Sequence, residues 1–185
     1  MLIVVMAIAA PLVVLDQTSN ANDMNLRRAL LGPGSSTDMG LHLFGTDKYG
    51  RDHFSRVILG SRISLTVGFI AVGISLLIGI PVGAFAGYYG GRLDQFLTWA
   101  MSVLWSIPTL LLVIALTFVL GKGIVQVFIA VGLTMWVEVA RVIRGQFLGE
   151  KSKEYVEAAK VLGFSTWHII FKEILPNTWG PLVVI

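Results

Sequence analysis

The sequence predicts an all-α fold, a polytopic helical membrane protein, and three observations carry that expectation. Of its 185 residues 55% are hydrophobic and only 14% charged, a balance far from that of soluble domains. The charges cluster, and the uncharged intervals between them approach the roughly 20 helical residues needed to cross a hydrocarbon core of about 30 Å. The segment Asp16 to Gly40, between the first two of those intervals, is rich in Asn, Ser, Asp and Gly, which favour turns over long helices.

Four uncharged intervals stand out: Met1 to Leu15, Ile63 to Gly91, Gln95 to Gly121 and Gly123 to Val137. Lys122 and Glu138 can snorkel or sit at an interface, which extends the fourth to about Ala140. The first reads as a truncated membrane span. A secretory signal peptide is the alternative, but no Lys or Arg precedes Arg27 and no small-residue cleavage site is clear. The far end, "PLVVI", opens another apolar run, so the chain reads as a piece of a longer protein with about five spans at least partly present.

Between the first two intervals, "DQTSNANDMN" and "GPGSSTDMG" make an aqueous loop. From His42 the text tightens: Gly45 and Gly50 permit turns, and Asp52 can cap a helix that begins there. Phe54, Val57 and Ile58 share a face of that short helix, as suits a segment on the membrane surface. In the second interval Gly68, Ala71, Gly79, Gly83 and Gly87 form a small-residue packing face. Pro81 is expected to kink or end the helix, or to lie where neighbours re-satisfy the freed carbonyl, and Pro108 implies a second local break near Trp105. Such a break either lines a pathway or is simply packed in protein.

The net charge of +3 is small and the basic residues are spread among loops, so no nucleic-acid face is expected. No cysteine is present, which excludes disulfides and thiolate metal sites. His42, His53, Asp47 and Asp52 fit no standard metal-ligand spacing, and turn and capping roles explain the aspartates better. Residues 16–62 and 141–172 each hold six Lys or Arg on opposite sides of three spans, so charge alone does not orient the chain.

The segment "EYVEAAKVLGFSTWHIIFKEILPN" reads as two short helices meeting at a corner. Glu154 to Leu162 contains no Pro or Gly, and Tyr155, Ala158, Ala159 and Leu162 fall on one side; Gly163 closes the helix. Ser165 then caps a second helix with Trp167, Ile170, Phe171, Ile174 and Leu175 on its apolar face, and Pro176 ends it or opens the next span. Ala158, Ala159 and Gly163 are expected to form a small exposed knob, with Glu157 and Lys160 fixing register in a protein groove. An ordinary interfacial helix on lipid is the plainer reading of the same periodicity.

Glu157, Ala158, Ala159, Gly163, Leu175 and Pro176 resemble the E-A-A-x3-G-x9-I-x-L-P loop of the permease subunits of bacterial ABC importers. One position departs, since Glu173 stands where that pattern has Ile. A second stretch, with Gly45, Thr46, Asp47, Gly50, Arg51, Asp52, Ser55, Arg56, Gly60, Arg62, Ser64 and Leu65, resembles a segment of the dipeptide, oligopeptide and nickel importers. The resemblance covers about residues 43–185.

What the resemblance implies is an inner-membrane permease subunit, multi-pass in the bacterial cytoplasmic membrane. It would pair with a second homologous permease, two ATPase subunits and an external solute-binding protein. The E-A-A segment, with Glu157, Ala158, Ala159, Lys160, Gly163 and Pro176, would be the cytosolic coupling helix. Its domains would run as a partial span (1–15), an external loop with a surface helix (16–62), three spans (63–140), a cytosolic loop with the coupling helix (141–176) and the start of a further span (177–185). ATP and Mg would belong to the partner subunits. The chain itself has no G-x4-G-K-[ST] phosphate loop and no catalytic constellation, so no cofactor of its own is expected. The rivals are a stand-alone secondary transporter, which needs ionisable relays in its spans, and a membrane-embedded enzyme, which needs convergent polar residues at depth.

Overall fold

A computed structural model describes residues 2–10, 22–38 and 40–180. The expected continuation of the first span through residue 15, the start of the loop at 16–21 and the apolar run at 181–185 lie outside the described residues. The chain falls into two compact units, Met1–Gly68 and Phe69–Ile185.

In the first unit, helix α1 (Leu2–Ile8) precedes the loop. A short hairpin of β1 (Ser35–Thr37) and β2 (Gly40–His42) is paired antiparallel, with Ser36 opposite Leu41. Helix α2 (His53–Tyr89) begins here and runs for 37 residues. The expected separate surface helix is therefore only the first turns of a longer one: Phe54, Val57 and Ile58 lie on α2 itself. From His53 onward no Pro occurs before Pro81, and a lone glycine such as Gly60 weakens a helix by about 1 kcal/mol without breaking it. Pro81 also sits inside α2 rather than ending it.

In the second unit, the rest of α2 is followed by α3 (Gly91–Trp105), α4 (Thr109–Leu120) and α5 (Ile124–Glu150). The breaks fall where the sequence loses its helix formers. Gly90 and Gly91 both have positive φ between α2 and α3, and Gly121 with φ 96° ends α4. At Ser106–Pro108 the axis turns by 89°, which bears out the expected break at Pro108. Helices α2 and α5 are each long and apolar enough to cross a membrane, and α3 with α4 makes a third crossing if the bent pair is one span.

Helices α2 and α5 pack at backbone distance and run parallel. A Cβ placed on Gly79 would stand 2.7 Å from the Trp136 carbonyl, and one on Gly87 would stand 2.5 Å from Phe147 Cβ. Between them Gly83 abuts the Ala140 carbonyl and Ile143, and Gly132 of α5 reciprocates against Ile74. Contacts thus climb both helices in the same direction, one turn at a time, the geometry that small residues four apart allow. Two parallel neighbours require the intervening chain to return from one end to the other, and only α3 and α4 are available to do it. The expected packing face therefore holds at Gly79, Gly83, Gly87 and Ala71, whereas Gly68 has open space around it.

The return leg is tied to α5 by charge and by fit. Arg144 forms a two-pronged ion pair with Asp94 in the first turn of α3, and Met101 packs with Val137 and Ala140. Helix α4 has no buried residue; Leu110, Phe118 and Val119 are among its outward side chains.

Candidate functional site: an exposed elbow at the end of the helix pair

Beyond α5 the chain turns through Lys151–Lys153 into α6 (Glu154–Val161). Glu150 organises that turn, accepting from Lys153 Nζ at 2.6 Å and from the Tyr155 hydroxyl at 2.7 Å. Burial, then the bond to Glu150, pushes the Tyr155 phenol up to about 12. Glu154 and Glu157 lie in the first turn of α6 and Lys160 in the last, each matching the helix dipole. Lys151 Nζ reaches back to the Gly87 carbonyl at 2.9 Å, joining the turn to the end of α2.

Helix α6 ends as Gly163 foretold. Its φ is +79°, its N–H bonds the Lys160 carbonyl at 3.0 Å, and the Phe164 N–H bonds the Ala159 carbonyl at 3.1 Å. These two bonds are the Schellman closure that only a left-handed residue at this place permits. Ser165 caps the next segment by accepting from the His168 N–H. That segment runs from α7 (Thr166–His168) through wide π-type turns at Ile169–Ile174 into α8 (Leu175–Asn177). The Leu175 N–H reaches the Ile170 carbonyl five residues back, and Pro176 follows with no N–H to place. Widening the turn relieves the clash a Pro ring makes with a preceding carbonyl.

The wide turn also decides which residues face inward. Val156 and Ala159 of α6, with Ile169, Ile170 and Ile174, are buried against Ala84, Val139, Ile143 and Phe147. The elbow is thus welded to the α2–α5 pair. Two expectations change. Ala159 is only 4% exposed, so its small size serves this inner packing rather than an outer knob. Ile169 joins the core while Trp167 is exposed, a register that strict α periodicity misses.

The outer surface carries Glu157, Ala158, Lys160 and Gly163, as expected, and an unexpected apolar group: Val161, Leu162, Phe164 and Trp167, exposed by 87%, 71%, 43% and 63%. Its signal was present in the sequence as "KVLGF", where apolar side chains flank the helix-closing glycine. Pro176 is exposed in α8, past the inward-facing Ile174.

The other predicted motif builds a clasp in the first unit. Asp47 accepts from the Tyr49 N–H at 2.8 Å, from the Arg51 N–H at 3.0 Å and from Arg51 Nε at 2.8 Å, and pairs with Arg56 at 3.2 Å. Partial burial opposes ionisation of Asp47, but the Arg51 side chain and then the Arg51 and Tyr49 amides hold the carboxyl well below its usual range. Thr46 Oγ1 accepts from the Leu31 N–H at 2.9 Å and donates to the Arg28 carbonyl. Gly45 and Gly50, both with positive φ, lie against the carbonyls of Leu31 and Asn25, where no side chain fits. Asp52 caps α2 through the Ser55 N–H at 2.6 Å and holds buried His42 by Nδ1 at 2.9 Å; His42 Nε2 meets Thr37 Oγ1 at 3.0 Å. The His42 contact was not foreseen, because it depends on the hairpin bringing residues 37 and 42 together. Among the described residues no group of three His, Cys, Asp or Glu could hold a metal ion.

Fold and site together define a helical membrane protein with an exposed elbow at one end of a close-packed helix pair. Residues 79–185, which include the whole elbow, match the family described as binding-protein-dependent transport system inner membrane component, and the chain belongs to that family. It is 41% identical over 183 residues to the oligopeptide transport system permease protein OppC of Bacillus subtilis, covering 99% of this chain and 57% of the relative. It is 47% identical over 143 residues to the dipeptide transport system permease protein DppC of the same organism, covering 77% of this chain and 45% of the relative. The glutathione transport system permease protein GsiD of Pectobacterium atrosepticum is 38% identical over 153 residues, 83% of this chain and 49% of the relative. The chain thus spans about half the length of the curated relatives it matches. As in its family's description, it is an inner-membrane component.

Proposed function

We propose that this chain is a permease subunit of an ABC importer that carries peptides or a similar small solute across the cytoplasmic membrane. It works beside a second homologous permease, takes solute from an external binding protein, and is driven by two ATPase subunits that hold ATP and Mg. The elbow lies in the cytosol and residues 16–62 outside. The observation that carries this reading is the two-sidedness of the elbow. Its inner face is locked into the α2–α5 core, and its outer face offers Val161, Leu162, Phe164 and Trp167 beside Glu157 and Lys160.

An apolar group of that size with charged neighbours fits a groove on a protein partner. Because α2 and α5 touch at backbone distance, a push on the elbow moves them together rather than bending one of them. Closure of two ATPase subunits would then rock the helix pair and alternate the side on which solute has access. A secondary transporter has no use for such an elbow.

The test is reconstitution of the full-length protein with its partners. Glu157→Lys or Gly163→Val is expected to abolish ATP-driven uptake while membrane insertion stays intact. Normal uptake by both variants contradicts the coupling role, and failure of the wild-type chain to bring down ATP-hydrolysing subunits contradicts the importer reading.

A further inference from the structure

Glu138 lies on α5, 14 residues after its start at Ile124 and 12 before its end at Glu150. It is therefore a mid-helix residue of α5. Along the axis it stands about 9 Å from Arg144, whose ion pair with Asp94 is the nearest neutralised charge on this helix. Glu138 is exposed and has no hydrogen bond or ion pair to any described residue.

The obvious internal partner is Arg141, one turn along the same helix, where opposite charges three residues apart normally meet. It is engaged elsewhere. Its guanidinium donates to Ser102 Oγ at 3.1 Å and lies 4.1 Å from the centre of the Trp105 ring, on the far side of the α3–α5 contact. Arg144, the next cation along α5, is in turn taken by Asp94. The carboxylate of Glu138 is left facing away from α2 and α3, since α2 meets α5 through Trp136, Val139, Ala140 and Ile143, and α3 through Val137, Ala140 and Arg141; α4 borders α5 further toward its start, at Val127, and gives Glu138 no hydrogen bond or ion pair.

A bare carboxylate is too costly to face hydrocarbon at mid-helix, so its surroundings in the membrane contain water or a cation. We propose that Glu138 lines the aqueous route of the transporter and receives a solute's ammonium group, such as the amino terminus of a peptide. The inference rests on the importer reading above and adds to it a cation-selecting point on this chain. Arg141, turned aside by Ser102 and Trp105, leaves that charge uncancelled. A basic residue on a neighbouring permease helix is the competing partner, and the experiment separates the two.

These 185 residues hold no cysteine, so a single one placed among them reports cleanly once any cysteine elsewhere in the full-length protein is replaced. Met135, 38% exposed and one turn from Glu138, becomes the reporter through Met135→Cys in the full-length chain, assembled with its partners in vesicles cycling with ATP. A cationic and an anionic methanethiosulfonate of equal size are compared by the mass added to this chain. The cationic reagent is expected to react about tenfold faster, and Glu138→Gln to bring the ratio near one while the second permease still co-purifies. Uptake of dialanine is expected to fall about tenfold in Glu138→Gln and to recover in Glu138→Asp. Absence of reaction with either reagent, a ratio indifferent to Glu138→Gln, or loss of the second permease on co-purification overturns the proposal. If the wild type takes up no dialanine, the peptide reading of the cargo fails, and the reagent ratio still decides the role of Glu138.

Discussion

Arg144 closes on Asp94 with both prongs of its guanidinium, Nη2 standing 2.7 Å from Oδ2, and so fastens the first turn of α3 to α5. The parallel pairing of α2 and α5 obliges α3 and α4 to return the chain between them, and this ion pair pins the start of that return. Arg144→Ala leaves Asp94 without its partner. The pair is partly exposed, 28% and 15%, so the loss should be about 1–3 kcal/mol, below that for a fully buried pair. Thermal unfolding in detergent measures it, and a double-mutant cycle with Asp94→Ala should return most of that cost as coupling; independent, additive losses would show that the contact stabilises nothing.

Glycines on α2 should differ sharply by position. Gly83→Ala drives a methyl into the Ala140 carbonyl and Ile143, so it should destabilise by about 1–3 kcal/mol despite alanine's better helix propensity. Gly68→Ala meets nothing within 4 Å and should be neutral or stabilising by up to about 1 kcal/mol. Melting temperatures of the two variants in one detergent decide the matter; equal effects would contradict the close approach of α2 and α5.

The Asp47 clasp gives the first unit an acid limit. Its carboxyl is depressed in the folded state, so the stabilisation is complete above the ordinary carboxylate range near pH 4 and drains away as pH falls below it. Protease resistance of residues 43–56 between pH 6 and pH 3 follows this. Asp47→Asn should show low resistance throughout and little pH response, whereas an unchanged acid profile would remove Asp47 from the account.

Asp52 combines two duties, capping α2 and holding His42. Asp52→Ala should cost about 1–3 kcal/mol and expose the hairpin, while His42→Ala spares the cap and should cost less. Hydrogen exchange at the Ser55 amide separates them: faster exchange is expected only for the Asp52 variant.

What the sequence made legible was what local chemistry controls. The breaks at Gly90–Gly91 and Pro108, the closing turn at Gly163, the cap at Ser165 and the small stripe at Gly79, Gly83 and Gly87 all follow from neighbours a few residues away. The inward turn of Ala159 was not legible, because it is set by Ile143 and Phe147 of α5 and by a wide turn whose register departs from 3.6 residues. Likewise the length of α2 hid the surface segment within it, and the partners of Arg141 and Arg144 lie 39 and 50 residues away on α3, beyond any periodicity.

The elbow's place in the cell is the claim on which the transport mechanism stands. Leu162→Cys, with no other cysteine among these 185 residues and any cysteine elsewhere in the protein replaced, puts a thiol on its exposed outer face. Treated with a membrane-impermeant maleimide, intact cells should leave this cysteine unlabelled, and permeabilised cells lacking the ATPase partners should label it fully. Labelling in intact cells would place the elbow outside, where no ATPase can reach it, and would contradict the account.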